Sequence, residues 1–373
     1  MAYDIVPYDS GLKAQIADLQ RHLWSGDADA NIAYLEWKYE RNPYWETPLI
    51  YAATCDGRVV GMRGMYGSTW QIGAEGGAFA IPCADDFVIV PEHRNRGLFS
   101  LIMRAALDDA ARRGHAYVFS LSPGPVTLVT SLVSGWSRVG VMRPLRRRRP
   151  RGLLPRCRSG LSKVPVLWRL AEGLSRRALR RPPFRRLDRR EGRHRLGRGR
   201  EIDLERGPRV GAMADLVRRL GHDGRVRHVR DERYLAWRFQ NPLHEYRYLF
   251  YEDDGLEGYL VLQAYRGDRR RGVNIADWEG TTSEIRADLL RAAIEWGDFD
   301  QLSVWTATLS DEALEQLTAA TFVPPPAGSW LHSPNVLVTT TRRADPAPDP
   351  TLGGRRLLEL AEWDMRMLYS MAG

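Results

Sequence analysis

Residues Asp85 to Arg113 read DDFVIVPEHRNRGLFSLIMRAALDDAARR, and this stretch decides the fold. Val88, Ile89 and Val90 are β-branched and run into Pro91, which cannot donate to a sheet ladder and so closes a strand. After Gly97, the residues Leu98, Ile102, Ala105, Ala106 and Leu107 recur at helical spacing, with Arg104, Asp108 and Arg112 between them. The joint Arg94-Asn95-Arg96-Gly97-Leu98-Phe99 therefore lies where a strand hands over to a helix N-terminus. Unpaired backbone N–H groups and the positive end of the helix dipole converge at such a joint, which suits a phosphate or pyrophosphate. Gly97 permits close backbone approach, and Arg94 and Arg96 add positive charge.

The same residues resemble the acyl-coenzyme A loop of the GCN5-related N-acetyltransferase (GNAT) superfamily, Arg/Gln-x-x-Gly-x-Gly/Ala. Arg94, Gly97 and Leu98 follow that pattern in order, after the lead-in Pro91-Glu92-His93. Phe99 departs from it, standing where Gly or Ala is usual, and either crowds the phosphates or points into the core. A further strand, AYVFSL at Ala116 to Leu121, completes the strand–loop–helix–strand context. The resemblance implies acyl-CoA as co-substrate and an amine as acceptor. It implies that backbone groups of Phe87, Val88, Ile89 and Val90 hold the pantetheine and the thioester carbonyl, with Arg94, Asn95, Arg96, Gly97, Leu98 and Phe99 around the pyrophosphate.

It also implies a carboxylate base at the start of the strand, the place of Asp85 and Asp86. Strand alternation predicts opposite faces for the two, Asp86 with Val88 and Val90, Asp85 with Phe87 and Ile89. The choice between them, and between catalytic and solvated roles, stays open. The usual acid of the superfamily is a Tyr after the fifth strand, but residues 123–142 contain none. Ser122 is the nearest candidate hydroxyl, with Thr127, Thr130 and Ser131 beyond it. His93 and His115 sit at loop positions, and Cys83 has no basic neighbour in sequence to activate it.

An internal repeat sets the architecture. Tyr34-Leu35-Glu36-Trp37-Lys38-Tyr39 is echoed by Tyr234-Leu235-Ala236-Trp237-Arg238-Phe239, each followed by Asn-Pro and then by a hairpin turn at Asp56-Gly57 or Asp254-Gly255. The stretch VNIADWE at Val273 to Glu279 matches ADDFVIV, LLRAAIEWG matches the helix, and QLSVWTA matches AYVFSL. The second loop, Gly280-Thr281-Thr282-Ser283-Glu284-Ile285, lacks Arg-x-x-Gly and places an acid where a phosphate would sit. Trp37 and Trp237, at helical spacing from Tyr34 and Tyr234, are expected in the core. The expected fold is α/β: two tandem acetyltransferase-like mixed-sheet units, 1–145 and 201–345, the second degenerate. A basic, partly helical insert (146–200) joins them, and a C-terminal tail (346–373) follows.

The net charge of +9 is unevenly spread. Residues 146–200 hold 21 Lys and Arg against Glu172, Asp188 and Glu191, a net of +18, which leaves −9 for the remainder. Within this segment, residues 164–181 place Leu167, Leu170, Ala171, Leu174 and Ala178 on one helical stripe, with Trp168 near it and arginines elsewhere. That pattern fits a helix lying on an anionic membrane surface. It also fits a packed linker, and sparse aromatic interleaving argues against nucleic acid. No run approaches the roughly 20 apolar residues of a membrane span, and the N-terminus does not read as a signal peptide. Three scattered cysteines suggest neither a disulfide framework nor a zinc site, so no metal is expected. The expected setting is the cytoplasm, with a peripheral position at the inner face of the membrane. Three functions remain open: acyl transfer to the amine of a sphingoid-type amino lipid, acetylation of a soluble amino or nucleotide sugar, and non-catalytic ligand binding.

Overall fold

The computed structural model describes residues 2–73, 77–149, 183–197, 200–266, 272–297, 299–326, 333–341 and 349–371. The expected amphipathic helix at 164–181 lies outside the described residues. The first half runs β1 (Asp4–Pro7), α1 (Lys13–Gln20), α2 (Ala28–Leu35), a π-helical turn (Glu36–Glu40), β2 (Leu49–Cys55), β3 (Arg58–Ile72), β4 (Gly77–Ile89), α3 (Leu98–Arg112), β5 (Tyr117–Leu121), α4 (Pro125–Val133), β6 (Ser137–Val141) and β7 (Pro144–Arg148). The second half runs β8 (Gly192–Gly197), β9 (Arg200–Glu205), α5 (Val210–Leu220), β10 (Arg227–His228), α6 (Glu232–Arg238), β11 (His244–Glu252), β12 (Leu256–Tyr265), β13 (Val273–Gly280), α7 (Ser283–Trp296), β14 (Gln301–Trp305), α8 (Asp311–Ala319) and β15 (Asn335–Thr340). A short hairpin, β16 (Thr351–Leu352) and β17 (Arg355–Arg356), precedes the C-terminal segment.

Two mixed sheets result, one for each copy of the repeat. The first has the order β1-β2-β3-β4-β5-β15-β6, with β10 paired to the far end of β3; the second has the order β7-β14-β13-β12-β11-β9-β8. The hairpin turn Asp56-Gly57 has φ of +51° and +76°, the left-handed pair that a two-residue β2–β3 connection requires. Each half also lends a strand to the other. β7 pairs antiparallel with β14 of the second sheet, and β15 pairs with β5 and β6 of the first. A boundary at residue 145 therefore falls inside a strand. The flanks of the basic segment are not insert but second unit: Arg146, Arg147 and Arg148 lie in β7, residues 192–197 form β8, and Phe184 and Leu187 are buried in the second core.

The repeat motif marks the contact between the halves. Trp37 and Trp237 stack with ring centroids 4.8 Å apart and planes 12° from parallel. Trp37 Nε1 donates to the carbonyl of Trp237 (2.7 Å), and Trp237 Nε1 donates to the carbonyl of Trp37 (2.8 Å). This reciprocal pair is what a local pseudo-twofold relation between two copies of one motif produces. Both indoles are buried in a core that runs from α1 and α2 through β3, α6 and β11 to Trp363 and Tyr369.

Candidate active site

The loop after β4 has the features of an anion cradle. Pro91–His93 forms a short 3-10 turn, Asn95 has φ +61°, and Gly97 has φ +77° as the residue capping α3. No side chain caps α3, and a Cβ built on Gly97 meets no heavy atom within 4 Å. The first N–H groups of this 15-residue helix thus face an open approach. Arg94, Asn95 and Arg96 are exposed around it. Arg94 Nε is tied back to the carbonyl of Ile89 (3.0 Å), and Arg96 Nη1 reaches the hydroxyl of Tyr3 (3.4 Å). His93 is also engaged, its Nδ1 2.9 Å from that hydroxyl. Leu98 is buried beneath the turn. Phe99 packs edge-on against Phe87 at 4.8 Å, so its ring belongs to the core beneath α3. These residues fit a coenzyme A pyrophosphate.

β4 and β5 are in register only at Cys83 and Phe119, and beyond that pair the strands part. Phe87, Val88 and Ile89 are held on their other edge by Arg63, Met62 and Gly61 of β3. Val90 follows, its N–H donated to the carbonyl of Val60. The parting strands leave a slot along this edge of β4.

Three residues beyond Cys83, the structure corrects strand alternation. Asp86 is a bulge residue with φ +50°, inserted between the pairs Arg63–Phe87 and Gly64–Asp85. The extra residue shifts the parity, and Asp85 and Asp86 both face Lys38 of the π-helical turn. Asp86 is fully buried and saturated: Oδ1 accepts from Trp24 Nε1 (2.9 Å) and Lys38 Nζ (3.0 Å), and Oδ2 from Gln20 Nε2 (3.0 Å) and Tyr39 OH (2.8 Å). Burial raises the Asp86 carboxyl above its ordinary value, opposed by Lys38. Asp85 accepts from Lys38 Nζ (2.7 Å) and from the N–H of Asp86 (2.9 Å), and its side chain keeps 20% exposure. Asp85 is thus the accessible carboxylate of the pair.

Ser122 lies at the end of β5 with φ +61°, its N–H donated to Asn335 of the exchanged strand β15. Ser122 is half-buried, one residue past β5, the strand that neighbours β4. Burial pushes the Cys83 thiol up to about 12, which leaves it protonated at neutral pH. Lys38 was not among the residues singled out from the sequence. Its signal was present in the repeat, which sets a cation at the same place in both copies, Lys38 and Arg238.

The second unit is built differently at both places. Thr282 caps α7, accepting the N–H of Ile285, so the helix N-terminus that should hold phosphate is already satisfied. β13 and β14 also part, after the pairs Val273–Leu302 and Asn274–Ser303. Here the C-terminal segment enters the gap. Met365 exchanges hydrogen bonds with Thr308, and Arg366 Nη1 donates to Asp277 (2.9 Å) and to the carbonyl of Trp278 (3.2 Å). Only about 20 Å³ of cavity is left among Asp277, Trp278, Trp305 and Arg366. The sequence showed the loop difference but gave no sign that the tail fills the second slot.

Residues 8–125 match the family model described as an acetyltransferase (GNAT) domain. Over these residues the first unit is similar to a GNAT domain. Solved structures share the fold of the whole chain. A tandem GNAT protein from the clavulanic acid biosynthesis pathway superposes with a TM-score of 0.54 at 12% identity, covering 92% of this chain and 100% of that one. A GCN5-related N-acetyltransferase from Anabaena variabilis gives 0.55 at 12% identity, over 91% and 73% of the two chains. A probable N-acyltransferase from Enterococcus faecalis gives 0.53 at 11% identity, over 91% and 73%. No curated protein matches the sequence. The fold is that of two tandem GNAT units, and it supports N-acyl transfer from an acyl-CoA to an amine. Among the described residues no helix is long and apolar enough to cross a membrane, and no group of three or more His, Cys, Asp or Glu residues is placed to hold a metal.

Proposed function

We propose that the first unit transfers an acyl group from coenzyme A to a primary amine, with Asp85 as proton acceptor. The observation that carries this reading is the combination, in one unit, of an uncapped α3 N-terminus at Gly97, a parted β4–β5 pair and an accessible carboxylate at the throat of that gap. In the reaction the amine nitrogen attacks the thioester carbonyl, so a C–N bond forms and the C–S bond breaks. The proton lost by the amine goes to Asp85, directly or through water, and the departing thiolate is protonated from solvent or by the Ser122 hydroxyl. The test is thiol release from acetyl-CoA with a panel of primary amines. Asp85→Asn should lower turnover at least tenfold while leaving coenzyme A affinity unchanged, and wild-type turnover in that variant would remove the carboxylate from the mechanism.

For the acceptor we propose an amine presented at an anionic membrane surface, a sphingoid-type amino lipid. Support comes from the sequence of residues 150–182, which holds nine Lys and Arg against Glu172, and from the Trp- and Leu-bearing stripe at 164–181. Flotation with anionic vesicles at low salt tests it. Binding that is lost when Arg176, Arg177, Arg180 and Arg181 are changed to Glu supports the lipid. A protein that ignores the vesicles yet acetylates amino sugars in solution supports the soluble alternative.

A further inference from the structure

We propose that Lys38 is the positioning residue of the acyl-transfer site: its buried ammonium bridges Asp85 and Asp86 and holds the Asp85 carboxylate, charged and oriented, at the throat of the β4–β5 gap. The proposal rests on the reading of Asp85 as proton acceptor.

The Lys38 side chain has no solvent exposure, and its three N–H bonds have three partners: Asp85 Oδ2 (2.7 Å), Asp86 Oδ1 (3.0 Å) and Tyr34 OH (3.2 Å). Rings of Trp24, Tyr34, Tyr39 and Tyr66 stand 5.0–5.5 Å from the ammonium. A well-packed apolar side chain would stabilise such a place at least as well as a desolvated ion cluster, so stability alone does not account for a cation here. The bulge at Asp86 turns two adjacent carboxylates to one face, where their like charges repel unless a cation stands between them. Lys38 offsets that repulsion. The division of labour follows from the contacts. Asp86, saturated by four donors, anchors the ammonium, and the ammonium in turn orients Asp85, which alone of the three keeps exposure.

Among the described residues, Lys38 is the cation that hydrogen-bonds Asp85, which sets it apart from the other titratable groups around the cluster. α1 and the turn after it contribute the neutral donors Gln20 and Trp24. Tyr34, Tyr39 and Tyr66, from α2, the π-helical turn and β3, are held protonated by burial, as is Cys83 on β4. Arg238 on α6 acts on Tyr34. Arg63 on β3, opposite Phe87 and over its ring, is a second buried cation that acts on Asp85, through charge alone and without a hydrogen bond to it.

The pH profile of kcat/KM for a soluble amine tests the bridge in Lys38→Met, Lys38→Arg and Asp86→Asn. An opposite charge at hydrogen-bond distance favours the ionised carboxylate by about 1–3 pH units. Lys38→Met should therefore move the acidic limb up by at least about one unit, lowering kcat/KM about tenfold at pH 6.5 with recovery at higher pH. Asp86→Asn removes the like charge and should move the limb down, and Lys38→Arg should keep it near the wild-type position. A limb unmoved in both Lys38→Met and Asp86→Asn, with coenzyme A binding intact, overturns the proposal. Should Lys38→Met fail to fold by circular dichroism, the limb of Asp86→Asn decides alone. An active Asp85→Asn enzyme would instead overturn the base reading and the bridge with it; an inactive one with unmoved limbs in the other variants overturns the bridge only.

Discussion

Replacing Trp37 and Trp237 by Phe, singly and together, tests whether the two copies are locked through their repeated motif. Each substitution removes one indole N–H from a carbonyl 2.7 or 2.8 Å away in a buried contact. A lost hydrogen bond at a buried site costs about 1–2 kcal/mol, near the lower end here because the Trp237 carbonyl also accepts from Gln240 (3.1 Å). The rings also stack at 4.8 Å, which is worth about 0.5–1.5 kcal/mol beyond area burial. Because the two hydrogen bonds and the stack close one ring of interactions, the effects should not add. The double variant should fall short of the sum of the singles by about 0.5–1.5 kcal/mol. Guanidinium unfolding followed by far-UV circular dichroism measures this, and the exchange of β7 and β15 predicts one transition for the whole chain. Effects additive to within about 0.3 kcal/mol, or two separated transitions in the native protein, would refute the interlocked arrangement.

Two further substitutions probe the interior. His228 is buried against Tyr234 and Trp70, donates Nδ1–H to the Val229 carbonyl, and is pushed down to about 3 by burial. The unfolded chain binds the proton first, so stability falls by about 1.4 kcal/mol per pH unit from pH 6.5 downward; His228→Gln should flatten urea stability between pH 6.5 and 5, and an unchanged slope would contradict this. Gly64 faces Tyr39, whose hydroxyl lies 2.1 Å from where a Cβ would stand. Gly64→Ala should displace the Tyr39–Asp86 hydrogen bond and cost about 1–3 kcal/mol in the same assay, and a neutral result would show that the site relaxes freely.

What the sequence reveals and what it hides divide along local and non-local lines. The strand, the glycine turn and α3 are encoded within 30 residues, and the repeat exposed the Trp37–Trp237 correspondence before the rings were seen in contact. The bulge at Asp86 was not legible, since one inserted residue inverts every face beyond it and aspartate merely tolerates the left-handed conformation. Lysine reads as a surface residue, so Lys38 was visible only as the partner of Arg238 in the repeat. The exchange of β7 and β15 depends on pairing between segments more than 150 residues apart, and Arg366 enters the second slot 89 residues from Asp277, separations at which periodicity carries no information.

One working slot per chain is the central expectation. Titration calorimetry with acetyl-CoA on the native protein, Gly97→Glu and Thr282→Glu tests it most directly. One site per chain in the native protein and in Thr282→Glu, with binding abolished in Gly97→Glu, is the predicted result. Two sites per chain, or equal weakening by the two substitutions, would contradict it.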